Sequence, residues 1–236
     1  MPDNASSAVH RPTPRAGSAP ANTWAPTVGL VCALAVPLLY NFVVGPYVVA
    51  DATGSVVVGY VVMWTLVSAL VVLTVVVERR PLSTIGLRRL SLGQLALAAG
   101  VGVALSLYVL LASLVMEALG FGAGDVASVA SATAPWMLAV GVVTAAVTEE
   151  VVFRGYALER LTERTGRLWI GAFVSLAVFV AFHVPNPNWG PAHIVGVVVP
   201  LGVALTGLYL WKRNLPFVVI VHFVIDAPLV MLALAG

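Results

Sequence analysis

Residues 148–155 read Thr-Glu-Glu-Val-Val-Phe-Arg-Gly and lie inside an otherwise apolar run, residues 136–158. The chain has only 10 Asp and Glu residues in 236 positions, so two adjacent glutamates in a hydrophobic segment need a physical reason. An ionisable side chain at membrane depth is costly and indicates a functional site. On a helix, Glu150 and Arg154 share a face and can neutralise each other. Glu149 points about 100° away from Glu150 and is predicted to stay outside that pair.

The composition indicates an integral membrane protein. The chain is 60% hydrophobic and 9% charged, with a mean hydropathy of +1.01, whereas a soluble domain averages about 25% charged residues. A transmembrane barrel would show alternating polar positions, but the apolar runs here are continuous in Val, Leu and Ala, as membrane-spanning helices are. The single cysteine, Cys32, excludes an intrachain disulfide and a multi-cysteine metal site.

The order of segments predicts an all-α polytopic membrane helix bundle with about seven transmembrane helices. Residues 1–25 are rich in Pro, Ser and Ala and are predicted to form a flexible cytoplasmic tail. Residues 26–236 are predicted to form one transmembrane helical domain. The hydrophobic segments are approximately 27–50, 55–77, 91–119, 135–158, 167–184, 191–211 and 214–235.

The distribution of Lys and Arg predicts a cytoplasmic N-terminus and an outer C-terminus. With alternating segments, 11 of the 12 basic residues fall on one side, and the twelfth is Arg154 within the membrane. Cytoplasmic loops carry such an excess of positive residues. The basic stretch 79–89 is predicted to face anionic lipid at the membrane surface and not a nucleic acid. The expected location is the cell membrane, with the lipid bilayer as a partner.

Few polar side chains remain inside the predicted spans, and they fall on the fourth, fifth and seventh. They are Glu149, Glu150, Arg154, His183, His222 and Asp226. His222 and Asp226 are four residues apart and face the same way on a helix. A buried ion pair that only holds helices together would account for the fourth segment alone. The two histidines and the aspartate favour a catalytic site.

Helical rise gives the depth of each group below the cytoplasmic edge. At about 1.5 Å per residue, Glu149 and Glu150 lie roughly 13–15 Å deep, His222 about 12 Å and Asp226 about 18 Å. These four side chains can meet. The same count places His183 at roughly 22–24 Å, several ångströms deeper. Either the fifth segment begins deeper than these bounds, or Pro185 ends it and lets His183 turn inward to join the group.

Such a group is suited to the activation of water. A buried glutamate can act as general base, a histidine beside it can share the water, and a second histidine with a carboxylate can stabilise an oxyanion. Alternatively, His183, His222 and a carboxylate hold Zn²⁺ with one position open for water. The His-Glu-x-x-His motif of zinc proteases is absent, and no serine or cysteine stands in a recognisable nucleophilic context. Direct attack by water is therefore favoured.

The same residues resemble the three motifs of the CPBP family, also called the Abi family. It contains the type II CAAX prenyl endopeptidases and bacterial bacteriocin-processing and immunity membrane proteins. Its Glu-Glu-x-x-x-Arg motif corresponds to residues 149–154, its Phe-x-x-x-His motif to 179–183, and its His-x-x-x-Asn/Asp motif to 222–226. The order and spacing agree, and the resemblance covers approximately residues 135–230, the expected catalytic core.

The resemblance implies an intramembrane endopeptidase that acts on a membrane-associated peptide or lipidated, CAAX-type protein substrate. By that analogy, Glu149 and His183 activate the water. His222 and Asp226 bind the oxyanion, or these four residues form a metal site for Zn²⁺. Glu150 and Arg154 form a structural pair. The family includes enzymes described as metalloproteases and enzymes assigned a metal-free glutamate mechanism, and both remain open here.

Two other classes of function compete with the peptidase. A non-enzymatic immunity or scaffold protein would retain the motif for folding, although a scaffold needs no second histidine. A proton-coupled transporter would use the carboxylates and histidines as a relay, but the sequence shows no internal symmetry of the kind common in transporters. His193 is interpreted as an interfacial or packing residue. Tryptophans near segment ends, including Trp189, are interpreted as interfacial anchors.

Overall fold

The computed structural model describes residues 24–48, 52–121, 133–186 and 189–235, and these residues contain helices and no strand. The predicted tail lies outside the described residues, except that α1 already begins at Trp24. The helices are α1 Trp24–Val44, α2 Thr53–Val77, α3 Leu92–Ala118, α4 Pro135–Thr165, α5 Leu168–His183, α6 Pro191–Lys212 and α7 Leu215–Ala235. The predicted polytopic helix bundle is confirmed.

Two helices differ in length from the prediction. The fifth has 16 residues, about 24 Å, so six helices of the described chain reach the length of a span and α5 is shorter. The fourth continues through Glu159–Thr165 instead of ending near residue 158, because no helix-breaking residue occurs before Gly166. Gly166 ends it in the left-handed conformation at φ 66°, which glycine adopts without steric cost.

The longer α4 explains why the depth estimate placed Glu149 and His183 at different levels. Measured from Thr165, Glu149 lies about 24 Å along α4, and measured from Leu168, His183 lies about 22 Å along α5. The end of α4 and the start of α5 lie at the same level, and the two helices pack closely. A Cβ on Gly171 would lie only 2.6 Å from the carbonyl oxygen of Leu158. Glu149 and His183 therefore reach the same level of the bundle.

Helix α7 begins farther into the bundle than the connection between α4 and α5. Its first residue, Leu215, donates its backbone N–H to the carbonyl oxygen of Gly86 in the segment between α2 and α3. Leu215 also packs beside Gly155 of α4, where a Cβ would lie 3.0 Å from the Ile85 carbonyl and 3.2 Å from a Leu215 methyl group. His222 lies seven residues after Leu215, and Glu150 lies five residues before Gly155. His222 and Glu150 therefore lie at about the same level of the bundle.

Charged residues concentrate at one end of the bundle. Arg160 of α4 forms an ion pair of 2.6 Å with Glu78 at the end of α2, and both side chains are 1% exposed. Arg213, which follows α6, pairs with Glu159 at 2.5 Å. Arg164 donates to Thr27 in the first turn of α1 at 2.5 Å. The start of α1 and the ends of α2, α4 and α6 share one end of the bundle, as the predicted alternation requires.

A serine on α3 supports the part of α7 that carries His222 and Asp226. Pro228 lies inside α7 and has no backbone N–H, so it cannot bond the carbonyl of Val224 four residues earlier. The hydroxyl of Ser106 lies 3.0 Å from that carbonyl oxygen and 3.0 Å from the Gly102 carbonyl oxygen of its own helix, so its one hydrogen serves both acceptors. The helices approach this closely because position 102 is glycine, where a Cβ would lie 2.6 Å from Val224 Cβ. Ser106 therefore compensates in part for the hydrogen bond that Pro228 removes.

We expect Ser106→Ala to lower the free energy of unfolding by about 0.5–1.5 kcal/mol, because it leaves the Val224 carbonyl without its donor. Denaturant titration of the purified protein in mixed micelles measures the change. Ser68→Ala is the matched control, since Ser68 is exposed on α2, and it should change stability by less than about 0.5 kcal/mol. Equal effects of the two substitutions would contradict the support that Ser106 gives to α7.

Candidate active site

The acidic pair lies where α4 changes its helical form. The helix is α-helical through Glu149 and π-helical from Glu150 to Leu158, and every residue of that nine-residue stretch is buried. π-helical turns are rare and occur often at functional sites. In the sequence, this stretch is also where Glu150 and Arg154 interrupt the apolar run.

A chain of charged and polar groups joins α4 to α7. Arg154 Nη1 donates to Glu150 Oε1 at 2.8 Å, and the same oxygen lies 2.9 Å from His222 Nδ1. His222 Nε2 in turn lies 3.4 Å from Asp226 Oδ2. Arg154 also donates through Nη2 to the Gly202 carbonyl of α6 at 3.3 Å. Buried charges are stable only when they are paired, and here the pairing holds three helices together.

Glu149 and His183 form a second pair that faces across α4 and α5. His183 Nδ1 lies 2.7 Å from the Phe179 carbonyl oxygen, which can only accept, so the neutral ring carries its proton on Nδ1 and its lone pair on Nε2. His183 Nε2 lies 3.7 Å from Glu149 Oε2. That oxygen is buried and has no hydrogen-bond partner. The distance is too long for a direct hydrogen bond, and one water molecule beside the two atoms can reach both of them.

The structure thus brings all six sequence-predicted residues into these two groups, with one arrangement that spacing did not predict. Glu150 is bonded to His222 as well as to Arg154, so it is part of the link to α7. Burial also separates the residues. Glu149, Glu150 and His222 are buried, whereas the Asp226 side chain is 33% exposed and is the most open of the group.

Three further residues lie against the site without having been predicted there. Asn41 of α1 donates from Nδ2 to the Phe182 carbonyl oxygen at 2.7 Å, which satisfies a carbonyl at the end of α5. Trp189 stacks on His183 and on His193. Asn41 had a detectable signal, a polar side chain within the first apolar run. Trp189 and His193 resembled ordinary residues at the end of a helix.

The residues do not fit a metal ion in this arrangement. Among residues 24–48, 52–121, 133–186 and 189–235, no three His, Cys, Asp or Glu side chains converge as metal ligands. Both ring nitrogens of His222 already face carboxylates, Nδ1 toward Glu150 and Nε2 toward Asp226. The proposed Zn²⁺ ligands therefore divide into two separate pairs.

Comparison with known proteins supports the resemblance that the three motifs indicate. Residues 131–228 match the family model described as Type II CAAX prenyl endopeptidase Rce1-like. The match includes α4, α5, α6 and the first two-thirds of α7, and so every residue of the two groups above. No curated protein and no solved structure matches the chain.

The two groups predict effects of different size on stability when one residue of each is substituted. Arg154→Ala should lower the free energy of unfolding by about 3–5 kcal/mol, because it leaves the buried Glu150 carboxylate without its guanidinium partner. Glu149→Gln should cost less than about 1 kcal/mol, because Glu149 Oε2 forms no hydrogen bond and the Glu150–Arg154 pair is retained. The yield of monodisperse protein and denaturant titration measure both changes.

Arg167→Ala is the control for loss of an arginine, since Arg167 is exposed in the α4–α5 connection. It should leave the yield unchanged. Similar losses of folded protein in Arg154→Ala and Glu149→Gln would contradict the division into a structural link and a free carboxylate.

Proposed function

Because residues 131–228 match the family model of type II CAAX prenyl endopeptidases, we propose that this integral membrane protein is an intramembrane endopeptidase. It hydrolyses a peptide bond in a membrane-associated substrate, such as a lipidated CAAX-type protein, by direct attack of water. The observation that carries the proposal is the buried Glu149 Oε2 atom, which lies 3.7 Å from the lone-pair nitrogen of His183.

Glu149 is the general base in this mechanism. A water molecule between the two groups donates one hydrogen bond to Glu149 Oε2 and the other to His183 Nε2, which leaves an oxygen lone pair for the scissile carbonyl carbon. As the carbon–oxygen bond forms, Glu149 takes the proton from the water. When the tetrahedral intermediate collapses, the carbon–nitrogen bond breaks, and Glu149 returns the proton to the leaving amine.

His183 orients the water because its own orientation is constrained. The bond from Nδ1 to the Phe179 carbonyl oxygen keeps the proton on Nδ1, and Nε2 therefore accepts. A ring with the other tautomer would present N–H to Glu149 and bind it directly. The carbonyl of Phe179, the first residue of the second motif, thus selects the tautomer that the reaction needs.

His222 supplies the positive partner for the oxyanion. It is held at Nδ1 by Glu150, which is itself held by Arg154, so the ring cannot turn freely. Its Nε2 faces Asp226 at 3.4 Å, a long contact to the most exposed carboxylate of the group. A substrate oxygen that develops negative charge can accept a hydrogen bond from Nε2–H in place of Asp226. Preorganised donors of this kind contribute strongly to acyl-transfer reactions.

We expect Glu149→Gln to lower the rate of peptide cleavage by about 10²–10⁴-fold, because glutamine cannot accept the proton of the water. Purified wild type and Glu149→Gln in nanodiscs are incubated with prenylated and plain membrane peptides, and mass spectrometry identifies the products. Glu117→Gln is the matched control, since Glu117 lies near the C-terminal end of α3 and belongs neither to the Arg154–Glu150–His222–Asp226 chain nor to the Glu149–His183 pair. It should cleave as fast as wild type.

Products from wild type and Glu117→Gln, but not from Glu149→Gln, would establish the peptidase and locate the cleaved bond. A comparison of prenylated with plain peptides then tests the lipidated substrate class. Intact peptides in every sample would favour a non-enzymatic immunity or scaffold protein instead.

A chelator should leave the rate of wild type within about twofold, because both nitrogens of His222 are engaged and three ligands do not converge. The measurement repeats the peptide assay after incubation with the chelator, with added Zn²⁺ as the reverse test. Loss of cleavage on chelation and its recovery with Zn²⁺ would show that the side chains rearrange around a metal.

A further inference from the structure

The imidazole of His183 is surrounded by aromatic rings. The Phe179 ring centroid lies 4.5 Å from the imidazole centroid, and the Phe182 ring stands edge-on to it at 5.1 Å and 88°. The indole of Trp189 lies almost parallel to the imidazole, at 8° and 5.4 Å. Since Nδ1 bonds the Phe179 carbonyl, the Nε2 edge is the part of the ring directed toward Glu149.

His193 supports the opposite face of the same indole. Its ring lies 4.9 Å from Trp189 at an interplanar angle of 22°, and His193 is buried. The three rings form the stack His183–Trp189–His193, which runs from the end of α5 to the first turn of α6. The start of α6 thereby determines where the indole lies, and the indole limits where the imidazole can turn.

Trp189 differs from the tryptophans that behave as membrane anchors. Four other tryptophans near helix ends are 58–66% exposed and project from the bundle: Trp24, Trp136, Trp169 and Trp211. Trp189 is only partly exposed and packs against the hydrophobic core. An interfacial anchor projects toward the headgroups, whereas this indole faces inward and contacts a residue of the candidate active site.

We propose that Trp189, supported by His193, is a positioning residue that holds the His183 imidazole in the plane that directs Nε2 toward Glu149. This inference rests on the function proposed above. The terminal torsion of a histidine side chain has a broad energy minimum, so one hydrogen bond at Nδ1 leaves the ring free to rock. Stacking on the indole restricts that motion. Displacement of a catalytic group by about 1 Å can cost about 10²-fold in rate.

The restraint acts on the rate of the chemical step and leaves the binding of the substrate unchanged. Glu149 remains the base, and the His183 ring only directs the water toward the scissile carbonyl carbon.

Kinetics in nanodiscs separate positioning from packing. We expect Trp189→Ala to lower kcat per folded enzyme by about tenfold or more with KM within about twofold, and Trp189→Phe to retain most of kcat. Trp169→Ala, at the opposite end of α5, is the matched control and should match wild type. Equal kcat values for Trp189→Ala and wild type, or a Trp189→Phe enzyme as slow as Trp189→Ala, would overturn the proposal.

A double-mutant cycle tests the role of His193. If His193 acts through the indole, His193→Ala should lower kcat in the wild-type background and have no further effect in Trp189→Ala. Multiplicative effects of the two substitutions on kcat would overturn the supporting role of His193.

Chemical labelling provides a readout that does not depend on activity. Diethylpyrocarbonate modifies accessible imidazoles, and mass spectrometry measures the rate at His183. We expect this rate to rise several-fold in Trp189→Ala and to be unchanged in Trp169→Ala. An unchanged rate in Trp189→Ala would overturn the stack, whereas a wild-type enzyme that cleaves no peptide would overturn the proposed function. The two failures are therefore distinguishable.

Discussion

The buried contact of Arg154 with Glu150 is the interaction on which the rest of the site depends. Both side chains are almost completely buried, at 1% and 0% exposed, so neither charge could remain without the other. Because the same carboxylate oxygen reaches His222, the pair also sets the rotation of α7 relative to α4. Arg154 further contacts α6 at Gly202 and lies 4.1 Å from the centre of the Phe179 ring on α5. One guanidinium thus contacts α5 and α6 directly, and it reaches α7 through the Glu150 carboxylate.

The remaining support is of a different kind, since it consists of neutral groups that compensate for irregular backbone. Pro228 and the end of α5 each leave a carbonyl without a helical partner, and Ser106 and Asn41 donate to those carbonyls from neighbouring helices. In the bilayer core, water cannot satisfy such groups, so the protein must do so. The irregularities lie next to Asp226 and His183, which means that their partners also orient the candidate catalytic side chains.

The amino-acid sequence predicted the helices well and the site in part, for physical reasons that differ between residues. Long apolar runs define membrane helices strongly, and a spacing of four residues placed Glu150 beside Arg154. The contact between Glu150 and His222 depends on the register of two distant helices, which spacing within one helix does not contain. The depth of Glu149 was underestimated because α4 continues to Thr165 through polar residues. The position of Trp189 near a segment end is typical of an interfacial anchor, and only the inward direction of its indole in the fold distinguishes it from one.

For the proposed endopeptidase, the level at which α7 begins limits where along its chain a substrate can be cut. The 21 residues Leu215–Ala235 extend about 31 Å, close to the thickness of the hydrocarbon core, so Leu215 marks one membrane boundary. The acidic pair lies only about 8 Å from that level, five residues along α4 from Gly155. An extended peptide covers this distance with two or three residues. The bundle would therefore select peptide bonds by their distance from the membrane boundary, a few residues from the point where the substrate chain enters the membrane. The identity of the substrate side chains would be a secondary criterion.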